Sequence, residues 1–187
     1  MENPWEEVSW THPYAECDKD IIFAKKYNDK LQICDTLPEP YVGNLNSHVV
    51  CLNGNPGMRD NHFECKEIFT RELIATLNHS CTGFMWLSEK LKPTKHLGIG
   101  WWEQITKSLP PELRYNPNMF VLEYFPYHSA KMFNFPNLPS DVYRNYLLRQ
   151  AMDDGKLIII MRSKSRWFRI KEDNIGKFRY KSRFICQ

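Results

Sequence analysis

The sequence predicts an α/β domain built on a mainly parallel sheet, and two observations carry that expectation. Three short apolar runs, at 49–52, 119–122 and 157–161, show no polar alternation, as strands buried on both faces do. Between them lie segments of helical length with apolar residues at helical spacing, the alternation that builds a parallel sheet with helices on both faces. Ligands of such sheets gather where loops leave the C-terminal ends of the strands.

The elements follow in order. Residues 1–47 are acidic and mixed, broken by Pro4, Pro13, Pro38 and Pro40, and read as an N-terminal arm packed on a single domain spanning 1–187. Val49-Val50-Cys51-Leu52 is a buried strand that stops at Asn53-Gly54-Asn55-Pro56-Gly57, a composition that forms a tight loop. Cys65, Phe69, Leu73 and Leu77, with Ile68 and Ile74 beside them, mark one face of a helix that Asp60 can cap. Trp101, Trp102, Ile105 and Leu109 predict a shorter helix ending before Pro110. The strand at 119–122 runs on through Glu123 and Tyr124 to a loop at Pro126. Ser140 is placed to cap a helix over 141–153 that turns Val142, Tyr143, Tyr146, Leu147 and Ala151 inward and ends at Gly155. The strand at 157–161 follows, and then a basic loop at 162–168. Over 177–185, cations alternate with aromatic and small residues, so a strand would carry Lys177, Arg179, Lys181 and Arg183 on one face. That pattern suits an edge strand shielded by charge as well as a ridge of phosphate contacts.

Composition narrows the function. The 187 residues are 42% hydrophobic and 25% charged, which suits one folded domain and excludes disorder throughout. No apolar run approaches the roughly 20 residues of a membrane helix. The acidic, proline-broken start lacks a secretory pattern, so a cytoplasmic location is expected. The net charge of +3 hides an asymmetry: residues 161–187 hold nine Lys or Arg and two acids, a balance of +7, against 16 cations and 20 acids before them, −4. A polyanion is the simplest partner for a basic end of that kind. The six cysteines form no Cys-x-x-Cys pair, and His62-x-x-Cys65 with His79-x-Cys81 is the nearest approach to a zinc pattern, so no metal is expected. Phosphate-loop, dinucleotide and serine-hydrolase signatures are absent.

Three ligand-edge segments carry the candidate chemistry. In 53–57, the glycines bring backbone amides close to a ligand, and the Asn55 amide offers an acceptor that can hold water without being a strong base. A plain strand-to-helix turn uses the same residues. In 124–129, His128 beside Ser129 can supply base-edge or oxyanion contacts, and Glu123 and Tyr124 can read a base; a merely solvated loop histidine fits equally. In 162–168, Arg162, Lys164 and Arg166 alternate with hydroxyl and aromatic residues, as phosphate contact with base stacking requires, or Trp167 turns into the core.

Buried strand, Asn53-Gly54-Asn55-Pro56-Gly57, helix resembles the first motif of the uracil-DNA glycosylase superfamily, which reads Gly-x-Asn-Pro-Gly in its mismatch-specific and single-strand-selective branches. Asn55, Pro56 and Gly57 match in place, and Asn53 stands where that family has glycine. The order of the later elements is similar over most of the chain. The resemblance implies a three-layer sandwich, nucleic acid (DNA before RNA) or a nucleotide as partner, and hydrolysis of the N-glycosidic bond of an extruded base in DNA repair, with no cofactor. It makes Asn55 the water-positioning residue, Asn53, Gly54, Pro56 and Gly57 its ligand-binding loop, and Phe63 the candidate stacking ring. Lys181, Ser182 and Arg183 fall near where the family's His-Pro-Ser motif lies, without its histidine or proline, and with Arg179 they are the phosphate-contact candidates of the last strand. A noncatalytic nucleic-acid or nucleotide-binding module of the same fold is the alternative that this departure supports. A small-molecule enzyme using His128 in the same crevice is a third.

Overall fold

An extended chain presents alternate side chains to opposite faces, so runs of Val, Ile and Leu without polar alternation are stable only where both faces are covered. Tyr41–Gly43 (β1), Val49–Leu52 (β2), Phe120–Leu122 (β3), Leu157–Ile160 (β4) and Phe184–Cys186 (β5) form one five-stranded sheet in the order β1-β3-β2-β4-β5. The computed structural model describes residues 1–6, 20, 37–57, 66–94, 97–108, 118–130, 134, 137–174 and 184–186.

Val50, Leu52, Val121, Leu122 and Ile158 are buried along the three central strands. β2 lies parallel to β3, with Leu52 opposite Leu122, and parallel to β4, with Leu52 opposite Ile160. β4 and β5 are parallel too; β1 alone runs antiparallel, on β3. Parallel pairing puts the C-terminal ends of β2, β3 and β4 side by side, so the chain leaves the sheet at Asn53, Glu123 and Met161 along one edge.

Lys66–Leu77 (α1), Leu97–Thr106 (α2), Asp141–Asp153 (α3) and Lys164–Asn174 (α4) are the helices among the described residues, with 3-10 turns at Met85–Leu87 and Lys92–Thr94. α1 buries Leu73 and Leu77, as its period-four spacing predicts, and leaves Ile68 exposed. α2 buries Trp102 and leaves Ile105 exposed. Asp60 and Leu109 lie outside the described residues, as do 177–183. No helix among the described residues is long and apolar enough to cross a membrane.

The structure corrects four local expectations. The segment read as an arm supplies strand β1 and buries Trp5, and the Tyr41 hydroxyl donates to the Leu77 carbonyl at 2.7 Å. Three residues after Pro40, the last a glycine at φ 104, are too few to show a period. Ser140 precedes α3 but does not cap it: its Oγ donates to the buried Asp20 carboxylate at 2.6 Å. Val142 is 60% exposed, while Tyr143, Leu147, Leu148 and Ala151 are buried, so the inward face is rotated from the one expected. The basic segment is not a loop through 168. Ser163, at φ 57, turns the chain, and its carbonyl accepts from the Arg166 and Trp167 amides to start α4. Trp167 and Ile170, three apart and both buried, anchor that helix.

Candidate functional site

The loops after β2 and β3 are bonded to each other. The Phe125 amide donates to the Gly54 carbonyl at 2.9 Å, and Gly57 and Ser129 form an isolated parallel bridge. The Asn55 side chain closes the junction, its Nδ2 donating to Ser129 Oγ and to the Pro56 carbonyl, both at 2.8 Å. An amide held through its nitrogen has a fixed orientation. Asn55 Oδ1 accepts no hydrogen bond among the described residues, so the one acceptor of the side chain is the part left over.

His128 sits inside this junction. Its Nδ1 lies 2.7 Å from the Gly57 carbonyl, and its Nε2 lies 3.1 Å from the Leu37 carbonyl and 3.2 Å from Glu39 Oε1. All of these partners are acceptors, so both ring nitrogens donate and the ring is an imidazolium. Burial alone would depress its pKa, but the Glu39 carboxylate and the two carbonyls outweigh burial and raise it. The ring is 2% exposed, and each nitrogen already faces protein acceptors. It ties the arm to both ligand-edge loops.

Asn53 and Glu123 follow the paired residues Leu52 and Leu122, so their side chains meet. Asn53 Nδ2 donates to Glu123 Oε1 at 2.8 Å. Among the described residues, neither Asn53 Oδ1 nor Glu123 Oε2, both buried, has a hydrogen-bond partner while the carboxyl is ionised. Each such orphan costs about 1–3 kcal/mol, a sum large against the stability of a domain. Burial pushes the Glu123 carboxyl up to about 8, with the nearby Glu39 charge in the same direction and Asn53 and Arg162 opposing. A carboxyl raised that far favours the protonated form at pH 7.

Basic and aromatic residues pair with one another on the turn after β4 and against its neighbours. Arg162 lies over Trp101 at 4.8 Å, Arg166 over Tyr124 at 5.6 Å and Lys164 over Phe168 at 5.9 Å. Arg144 stacks on Tyr124 at 4.6 Å and donates to the Tyr124 carbonyl and to Asp141. Trp167 is turned into the core and donates from Nε1 to the Asn53 carbonyl at 2.7 Å, which fixes α4 to the end of β2.

The structure thus brings together Asn53, Gly54, Asn55, Pro56, Gly57, Glu123, Tyr124, His128 and Ser129, with Arg162, Lys164 and Arg166 on the adjoining turn. Phe63, Arg179, Lys181, Ser182 and Arg183 lie outside the described residues. Sequence reasoning missed Glu39, Trp101 as a cation partner, and Arg144. The lone acid between Pro38 and Pro40 was a signal, since a charge in so stiff a segment has few ways to reach water. Arg144 carried none.

Among the described residues, no group of three His, Cys, Asp or Glu side chains is placed to hold a metal ion. His79 instead stacks on Tyr41 and bonds the Tyr143 hydroxyl, and Cys81 donates to the Gly43 carbonyl. The chain matches no protein-family model, and no curated protein and no solved structure matches it.

Proposed function

We propose that the protein binds nucleic acid, or a nucleotide, at the C-terminal ends of β2, β3 and β4, in a fold of the uracil-DNA glycosylase-like type. One observation carries this reading: three cations, each over an aromatic ring, stand on the turn and helix start that follow β4, and one of them, Arg162, acts on the buried Glu123. Arg and Lys neutralise phosphates, and aromatic rings stack bases, so the juxtaposition suits a strand passing over the sheet edge. Anisotropy titration of a labelled single-stranded oligonucleotide at stepped salt tests it. Affinity that falls linearly with salt on logarithmic axes is expected, and no binding at low salt refutes it.

Hydrolysis of an N-glycosidic bond is the second reading, and it rests on Asn55. With Nδ2 committed to Ser129 and Pro56, the remaining Oδ1 is an acceptor for a water hydrogen. That water attacks the anomeric carbon, the bond to the base breaks with its electron pair leaving on the base as an anion, and the proton released by the water ends on that base through solvent. The enclosure of His128 favours a structural role for that ring over proton transfer. Oligonucleotides with uracil, hypoxanthine or mismatched thymine should yield abasic sites that Asn55→Ala abolishes. Binding without abasic sites at stoichiometric protein leaves the noncatalytic module.

A further inference from the structure

Helix α2 carries apolar residues on two sides. Ile99, Trp102 and Thr106 are buried, and Trp102 meets Phe84 edge to face at 4.6 Å. Leu97, Trp101 and Ile105 recur every four residues on the other side, which places them in one line along the helix. Leu97 is 48% exposed and Ile105 37%, with the half-buried Trp101 between them. Apolar side chains exposed one at a time are ordinary, whereas a contiguous line on one helix face marks a contact surface. Gly100 and Gln104 flank the line and are exposed. A Cβ on Gly100 would meet nothing within 4 Å, so the surface beside Trp101 is open to close approach.

Charge at this face comes from one side. Arg162, exposed on the turn after β4, sets its guanidinium 4.8 Å from the Trp101 ring centre and forms no ion pair among the described residues. The charged residues of the helix end, Glu103 and Lys107, stand off the apolar line by the helical period. A second copy meeting this face with its own would bring Arg162 toward Arg162 across the two-fold axis, so charge opposes self-pairing. Leu97 and Ile105 have neither a donor for phosphate nor a ring for stacking, so the two ends of the line suit a protein better than a nucleic acid.

We propose that the outward face of α2, with Arg162, docks an acidic amphipathic helix of a partner protein. Apolar residues of the partner cover Leu97, Trp101 and Ile105, and a Glu or Asp beside them pairs with the Arg162 guanidinium. This goes beyond nucleic-acid binding at the sheet edge and shares only the Arg162–Trp101 pair with it.

The test is anisotropy titration of labelled peptides with the whole chain. The probe is a capped peptide of about 18 residues, long enough to be helical, with Leu along one face, Glu beside it and Ala elsewhere. Its controls are the same peptide with Lys for Glu and a Glu peptide of the same composition in scrambled order. Expected are micromolar binding of the acidic amphipathic peptide and at least tenfold weaker binding of both controls. The double variant Leu97→Ser, Ile105→Ser should bind it about tenfold more weakly, since each side chain loses the apolar area that docking covers. Ile68→Ser, at an exposed apolar residue of α1, should leave binding unchanged, and Arg162→Glu should turn the preference toward the Lys peptide.

No binding of the acidic peptide at about 100 μM overturns the proposal, as does equal binding of the three peptides or full affinity in the double variant. A dimer in sedimentation that the double variant dissolves overturns it in favour of a second copy. Weaker binding of a single-stranded oligonucleotide by the double variant overturns it in favour of nucleic acid on this face. Peptide binding by a protein that binds no oligonucleotide supports this docking face and refutes the nucleic-acid reading alone.

Discussion

Replacing His128 by leucine should be harmful in a way that a second substitution repairs. The ring gives up one bond to Gly57 at 2.7 Å and a shared donor to Leu37 and Glu39 at 3.1 and 3.2 Å. Glu39, 4% exposed, then holds a charge with its partner gone. Breaking a buried pair from one side costs about 3–5 kcal/mol, and two carbonyls without donors add about 1 kcal/mol each. At about 2–4 °C per kcal/mol for a domain of this size, His128→Leu should lower Tm by roughly 10–28 °C. Adding Glu39→Leu removes the stranded charge and leaves only the two carbonyl losses, so the double variant should be more stable than the single by about 3 kcal/mol. Thermal unfolding by circular dichroism at pH 7 measures all three proteins. A double variant as unstable as His128→Leu, or less stable, refutes the buried ion pair. The pH dependence gives an independent check. His128 is raised in the folded state, so its contribution is complete below the unfolded value of about 6.5 and is lost as pH rises through the folded value. The double variant should therefore lose less stability than wild type as pH rises from neutral.

Other perturbations probe the remaining parts of the site. Glu123 is held protonated up to about 8, so its contribution to stability fades as pH rises from its unfolded value through that point; Glu123→Gln should flatten this alkaline loss in urea titrations at pH 6 and 9. Gly43→Ala forces a side chain to φ +104 and sets a Cβ 2.3 Å from the Met119 carbonyl, which should destabilise the domain by at least about 2 kcal/mol in urea unfolding. Trp167→Phe keeps the ring but removes the donor to the Asn53 carbonyl at 2.7 Å, with an expected cost of about 1–3 kcal/mol by the same method. Joint alanine replacement of Arg162, Lys164 and Arg166 should lower the slope of log affinity against log salt for single-stranded DNA by about 2; an unchanged slope places the phosphates elsewhere.

Much of the fold was legible because burial leaves a local record. β2, β3, β4 and the first, second and third helices each appear as a run or a period in ten or so consecutive residues. The strand β1 left no such record, and neither did the start of α4, where only Trp167 and Ile170 are buried in a basic stretch. The site was legible as to place and not as to roles. Parallel pairing of three recognised strands already sends 53–57, 123–129 and 162 onward to one edge.

Sequence by itself determined that the chain alternates strands and helices, that its cations concentrate at one end, and that an Asn-Pro-Gly loop follows its first buried strand. Those properties depend on periodicity and composition, which are local. Only the tertiary structure decided that His128 is an enclosed cation rather than a solvated ring, because its partners stand up to 91 residues away. Only the structure decided that Glu123 is pushed toward its neutral form, because depth of burial raises its pKa against the opposing bond from Asn53, 70 residues distant. Charge state inside a protein follows from which groups the fold brings together and how much water it removes, and neither is written in any one segment.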